Sequence, residues 1–157
     1  MRRSDREVLG LKNILSILDK CDVIRLGLCA DNKPYIVPMN FAYETIGEAV
    51  YIYLHCANTG KKIDMITQNN NVCFEADCSY KTVKGEQACD WSAEYESVIG
   101  EGCIATVIDE NQKVSALNIL MERYGFEGEP KYEPHHLSTV TVLKISVTAI
   151  TGKCNLA

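Results

Sequence analysis

Val23-Ile-Arg-Leu-Gly-Leu-Cys-Ala30, Asp31-Asn-Lys33, Pro34-Tyr-Ile-Val-Pro-Met-Asn-Phe-Ala-Tyr43, Thr45-Ile-Gly-Glu48 and Ala49-Val-Tyr-Ile-Tyr-Leu-His55 follow one another along the chain. Three strand-like runs are separated by turns too short to hold a crossover helix. Parallel neighbours need a connection of a dozen or more residues, so these strands pair antiparallel. Downstream, Val72 to Tyr80 alternates Cys73, Glu75 and Asp77 against Phe74, Ala76 and Cys78. Trp91 to Ile108 reads as a long strand, or two joined through Gly100 and Gly102, where glycine suggests a bulge or bend. Leu137 to Thr151 closes the chain as a β-branched strand. Helical spacing predicts a helix over residues 4–20, opened by the capping-box pattern Ser4-x-x-Glu7 and carrying Val8, Leu11, Ile14, Leu15 and Leu18. A short helix is predicted over 60–69, and a third over 109–124 ended by Gly125. Residues 81–90 and 126–136 read as loops. Six strands and three helices without regular alternation give a mainly β, α+β chain, built as an antiparallel meander or barrel.

The chain has 157 residues, 46% hydrophobic and 24% charged, with a net charge of −5. It fits one soluble domain, and the acidic balance argues against non-specific nucleic-acid binding. The apolar runs are far below membrane-spanning length. Eight cysteines occur without a C-x-x-C pair, so a zinc ribbon is not expected. Cys29, Cys73 and Cys103 lie within apolar runs and are expected to be small buried hydrophobes. With no apolar segment after the charged N-terminus, the reading is a cytoplasmic protein with free thiols. Three histidines with no matching carboxylate spacing predict no metal site. His135 and His136 point opposite ways if extended. Neither a G-x-S-x-G nucleophile, a G-x-G-x-x-G loop nor a Walker A loop is present.

Three segments carry the chemistry. His55-Cys-Ala-Asn-Thr-Gly-Lys-Lys62 ends a strand and opens a helix with two lysines. Cations at a helix N-terminus oppose its dipole, unless an anion shares the place; a glycine, free amides and lysines together make a phosphate site. In Pro34–Phe41, Pro38 cannot donate to a ladder, which marks an edge or a break in pairing. The freed backbone, with the amide side chain of Asn40, could meet the edge of a planar heterocycle; an edge protected by proline is the alternative. In Trp91–Gly102, Trp91, Ala93, Tyr95, Ser97 and Ile99 share one face, read as core with a polar notch at Ser97. The glycines after it would permit close approach by a ligand.

These segments together resemble the flavin-binding split barrels related to pyridoxamine phosphate oxidase, and within them the nitroimidazole-resistance branch. Met1-Arg-Arg-Ser-Asp-Arg-Glu7, Pro34–Phe41, His55-Cys-Ala with Gly60-Lys-Lys62, and Tyr95-Glu-Ser-Val-Ile-Gly-Glu-Gly102 carry the resemblance in order along nearly the whole chain. It implies a six-stranded antiparallel Greek-key split β-barrel with flanking helices, working as a homodimer with FMN at the subunit interface. It implies that Val37, Pro38, Met39 and Asn40 line the flavin ring. His55, Lys61 and Lys62 would lie toward the phosphate or ring edge, and Ser97 and Val98 would approach from the long strand. The implied activity is reduction of a small electron-poor acceptor with electrons from NAD(P)H, with His55 as the candidate proton or hydrogen-bond donor. Arginine-rich phosphate binding, a mark of the pyridoxamine phosphate oxidases proper, has no counterpart here: the five arginines form no such cluster. The same residues also suit a protein that holds flavin or haem without turnover, or an empty barrel serving a partner.

Overall fold

The computed structural model describes residues 3–156; Met1 and Arg2, the start of the resemblance above, lie outside them. The elements are β1 (Glu7–Val8), α1 (Leu11–Leu18), β2 (Ile24–Ala30), β3 (Lys33–Met39), β4 (Phe41–Ile46), β5 (Ala49–Ala57), α2 (Lys61–Gln68), β6 (Asn71–Val83), β7 (Ser92–Thr106), α3 (Glu110–Arg123), α4 (Pro134–Thr139) and β8 (Val140–Asn155). The strands run β3-β2-β6-β7-β8-β5-β4, with β1 added on β8, and every pairing is antiparallel.

The two ends of this path are consecutive in the chain. β3 stops at Met39, β4 starts at Phe41, and only Asn40 lies between them. Two residues span about 7 Å at most, so the sheet curls until its edges lie together. β3 and β4 form no ladder with each other. They are two halves of one bent strand, the first on β2 and the second on β5. Counted this way, the barrel has the six strands expected. The ladder count is higher because Asn40 interrupts the second strand and because β1 adds a two-residue pair.

Alternation decides which residues fill the barrel. Ile24, Leu26 and Leu28 point inward from β2, Val72, Phe74 and Ala76 from β6, and Leu143 and Ile145 from β8. Together with Phe41, Ile52, Leu54 and the buried face of α1, they form one apolar cluster. A second, smaller cluster lies outside the barrel, where Ala42, Tyr53 and Val142 meet Ala116 and Leu120 of α3.

Several local expectations change. The helix predicted over 4–20 starts only at Leu11. Glu7 and Val8 pair with Lys153 and Gly152, and Gly10, at φ 84°, turns the chain into α1. A ladder partner far along the chain outcompetes the capping box of Ser4. The long strand buries the opposite face from that expected: Glu96, Val98 and Gly100 point inward, while Trp91 and Ile99 are exposed. The registers Ala76–Val98 and Phe74–Gly100 impose this. A Cβ on Gly100 would lie 2.2 Å from Phe74 Cζ, and one on Gly102 2.4 Å from the Ser146 carbonyl oxygen. Both glycines make room for the protein's own core and ladder, with a bulge between Glu101 and Gly102 as expected. Cys29, Cys73 and Cys103 are exposed on the outer face, because they occupy the alternate positions to Leu28, Phe74 and Ile104. His135 and His136 sit in α4, not in extended chain. Pro134 fixes the first helical position, and the Glu133 carbonyl accepts from the amides of His136 and Leu137. Among the described residues, no helix is long and apolar enough to cross a membrane.

Candidate functional site

The bend at Asn40 gathers most of the residues singled out from the sequence. The β4–β5 ladder pairs Phe41 with Leu54, so Asn40 and His55 stand one position beyond that pair, at the open end of the ladder. Both are exposed. β5 continues to Ala57 and is pinned there: Asn58 Nδ2 donates to the Ser138 carbonyl at 2.6 Å, and Thr141 Oγ1 donates to Asn58 Oδ1 at 2.9 Å. Thus α4 and the start of β8 fix the loop that carries the chain from His55 to α2.

Gly60 opens α2 at φ 127°, with nothing within 4 Å of where a Cβ would stand. Its carbonyl accepts from the amides of Ile63 and Asp64 at 2.9 and 3.2 Å. The amides of Lys61 and Lys62, in the first turn of α2, have no intrahelical acceptor. Lys61 Nζ lies 4.3 Å from the centre of the Tyr35 ring, so the cation rests on the aromatic face of β3. Lys62 lies near Cys56: burial pushes that thiol up, and Lys62 works against the shift. Neither lysine pairs with a carboxylate among the described residues. Two cations without counter-ions, free amides and an open glycine fit a phosphate-bearing group.

Along β3, Val37 is half-buried and turned toward the barrel, Pro38 faces outward, and Met39 is sealed in the core at 7% exposure. Met39 therefore offers a ligand its backbone. Val98 is the same case, at 0% exposure inside the barrel. Ser97 is half-buried on the outer face, paired with Asp77 and Lys153. In one protomer it stands three strands from β3, across β2 and β6. The structure thus places Asn40 beside His55, Lys62 near Cys56 and Lys61 over Tyr35 of β3, and leaves Ser97 three strands away. Tyr35 and Asn58 were missed in the sequence reading. Tyr35 lies within the quoted proline strand, but its contact with Lys61 depends on α2 folding back over the barrel.

A second polar region lies under α3. A cavity of about 310 Å3 under α3 is lined by Glu44, Tyr53, Gln112, Ser115 and Lys144, among others. Tyr53 donates to Glu44 at 2.5 Å, and burial, followed by that carboxylate, pushes the phenol upward. Among the described residues, no group of three or more His, Cys, Asp or Glu side chains is placed to hold a metal.

The sequence profile described as pyridoxamine 5'-phosphate oxidase matches residues 11–154. The chain belongs to this family. Within the family's fold it is similar to the structure of a candidate 5-nitroimidazole antibiotic resistance protein from Bacteroides thetaiotaomicron. The two share 33% identity over 94% of this chain and 85% of the other, with a TM-score of 0.81. Two more distant structures share the fold. One is the flavocytochrome Anf3 from Azotobacter vinelandii, at 17% identity, 100% and 72% coverage and a TM-score of 0.85. The other is an FAD and haem binding protein from Mycobacterium smegmatis, at 15% identity, 97% and 74% coverage and a TM-score of 0.84. No curated protein sequence matches the chain significantly.

Proposed function

We propose that this family member is an FMN-dependent oxidoreductase that passes electrons from NAD(P)H to a small electron-poor acceptor, in the manner of a nitroimidazole reductase. The observation that carries this reading is the uncompensated Gly60-Lys61-Lys62 helix start resting on Tyr35 of β3, the strand that breaks off at Asn40 beside the exposed His55. Lys61, Lys62 and the first amides of α2 would hold the phosphate. Pro38 and Asn40, with the backbone at Met39, would line the ring edge. His55, at the open end of the ladder, would hold or deliver a proton near the reacting atoms. FMN, when bound, supplies the exchange between two-electron donors and one- or two-electron acceptors. The 33% identical nitroimidazole-resistance relative supports the acceptor class.

The protein would work as a homodimer. Ser97 stands three strands from β3 within one protomer, and a second copy would bring its own Ser97 to the site. The exposed Ile36 and Ile99 on the outer face are suited to burial in such a contact.

The test is the absorbance spectrum of freshly purified protein, followed by FMN titration. Bound flavin is expected, bleached anaerobically by NAD(P)H. Replacing both Lys61 and Lys62 by alanine should weaken FMN binding about 30–150-fold, from roughly 1–1.5 kcal/mol for each of the two charge pairs. Unchanged FMN affinity in the double variant would overturn the phosphate site, and a monomer by light scattering with FMN present would overturn the dimer.

A second reading, a protein that holds flavin or haem without turnover, draws support from the flavocytochrome and the FAD and haem binding protein that share the fold. Bound flavin that neither nicotinamide reduces, or a Soret band in the purified protein, would favour it.

A further inference from the structure

A thiol pair lies at the opposite end of α1 from Gly10, among residues the proposed flavin site does not use. The row Cys78, Glu96, Cys154 crosses β6, β7 and β8 in register. Lys20, just beyond α1, closes this row by bonding both Glu96 carboxylate oxygens at 2.8 Å, and Ser79 Oγ adds a third bond at 2.9 Å. Ser79 itself is held at φ 59°, where β6 slips register against β7 between Cys78 and Lys81. Cys21 follows Lys20 and is buried at 2% exposure. Its Sγ donates to the Ile17 carbonyl at 3.3 Å. Cys78 Sγ lies 4.0 Å from the same oxygen. The shared carbonyl brings the two thiols to the same point at the end of α1.

We propose that Cys21 and Cys78 are a modification site that hydrogen peroxide closes into a reversible disulfide. Two sulfurs that converge on one carbonyl oxygen need little movement to bond. Cys78 reacts first, because it is half-exposed whereas Cys21 is sealed. The Lys20 ammonium is near enough to Cys78 to interact with it electrostatically. The Cys78 sulfur attacks peroxide, the O–O bond breaks, and one oxygen leaves as water while the other remains as a sulfenic acid. The Cys21 sulfur then attacks the Cys78 sulfur. The S–O bond breaks, and its hydroxyl leaves with the Cys21 proton as a second water. Two thiols and one peroxide become one disulfide and two waters. Burial, and then the neighbouring Cys78, push the Cys21 thiol up to about 12.

The experiment is peptide mapping of the full-length protein. Trypsin releases Cys21 in Cys21-Asp-Val-Ile-Arg25, but Cys73 and Cys78 share the peptide that follows Lys62 and ends at Lys81. The Cys73→Ser variant, altered on the exposed outer face, removes that ambiguity. Protein treated with graded peroxide, blocked with iodoacetamide and digested should yield the two peptides joined. Dithiothreitol added before blocking should return both as alkylated thiols. Wild-type protein, with fragmentation showing Cys73 still alkylated within the linked peptide, gives the same answer if the variant folds poorly. Recovery of Cys21 and Cys78 as free thiols at a dose that oxidises the exposed Cys29 would overturn the proposal. Linkage of either one to Cys154 would overturn it too.

Discussion

Replacing Gly100 by alanine puts a methyl carbon 2.2 Å from Phe74 Cζ and under 3 Å from both neighbouring ring carbons. Carbon atoms settle at about 3.5–4.0 Å, so ring and strand have to part by more than about 1 Å. Phe74 cannot yield easily. It is 1% exposed, lies in register with Gly100 across the β6–β7 ladder, and belongs to the main core cluster. Overpacking a tight core costs about 1–3 kcal/mol. Alanine also restricts the unfolded chain, which gives back about 0.4–1 kcal/mol. The net expectation is a loss of about 1–2 kcal/mol, or roughly 2–8 °C in Tm for a chain of this size. Thermal unfolding followed by circular dichroism, with urea titration at neutral pH, measures it. Phe74→Leu in the Gly100→Ala background should cost less than the sum of the two single changes, because the smaller side chain vacates the space that the methyl group needs. A Gly100→Ala protein as stable as wild type, with an unchanged urea slope, would refute the assignment of this face to the core.

Other perturbations probe the joints around the site. Tyr124 Oη accepts from the Phe41 amide at 3.1 Å and donates to the Asp22 carbonyl at 2.7 Å, so Tyr124→Phe strands a buried N–H beside the Asn40 bend. A loss of about 1–3 kcal/mol in urea titration, with faster hydrogen exchange at Phe41, is expected; unchanged exchange would contradict it. Arg123 Nη2 donates to the Leu18 and Cys21 carbonyls at 2.6 and 2.7 Å, while its guanidinium lies 4.3 Å from the centre of the Phe41 ring. Lysine cannot make that planar fork, so Arg123→Lys should lower stability by about 1–3 kcal/mol in urea titration. A wild-type midpoint in Arg123→Lys would show that charge alone suffices. Lys20, through its hydrogen bonds, holds the Glu96 carboxyl below its ordinary value of 4.5, against the opposing effect of burial. A depressed folded-state value means stability that is present above the unfolded value and lost as pH falls through the folded one. Wild type should therefore lose Tm more steeply than Glu96→Gln below about pH 4.5, and parallel curves would remove Glu96 from the acid limb.

The strands were legible because alternation at period two is local. Short turns after Ala30 and Ile46 settled antiparallel pairing, and the end of α3 was equally plain. Gly125 takes a left-handed backbone at φ 81°, and its amide and that of Phe126 return to the carbonyls of Glu122 and Met121. The lysines at 61 and 62 do open a helix, as their spacing after Gly60 indicated. The same local logic failed where partners are distant. Helical spacing around Val8 was outweighed by a ladder with Gly152, and Pro134 started a helix inside a segment read as loop.

Alternation alone divides Trp91–Ile99 into two faces without saying which is inside. The aromatic face looked like core, yet it is the other that turns inward. The Phe74 ring needs the space that Gly100 leaves, and the Glu96 charge is matched by Lys20. The sequence by itself determined strands, turns, the helix that begins with two lysines, and an edge or break near Pro38; Pro38 itself stays paired with Arg25, and the break falls at Asn40. The tertiary structure alone decided that the two halves of the broken strand join opposite edges of the sheet, which faces of the strands are core, and which thiols meet. Period and propensity act between near neighbours, whereas closure of the barrel and the choice of buried face depend on contacts between residues far apart along the chain.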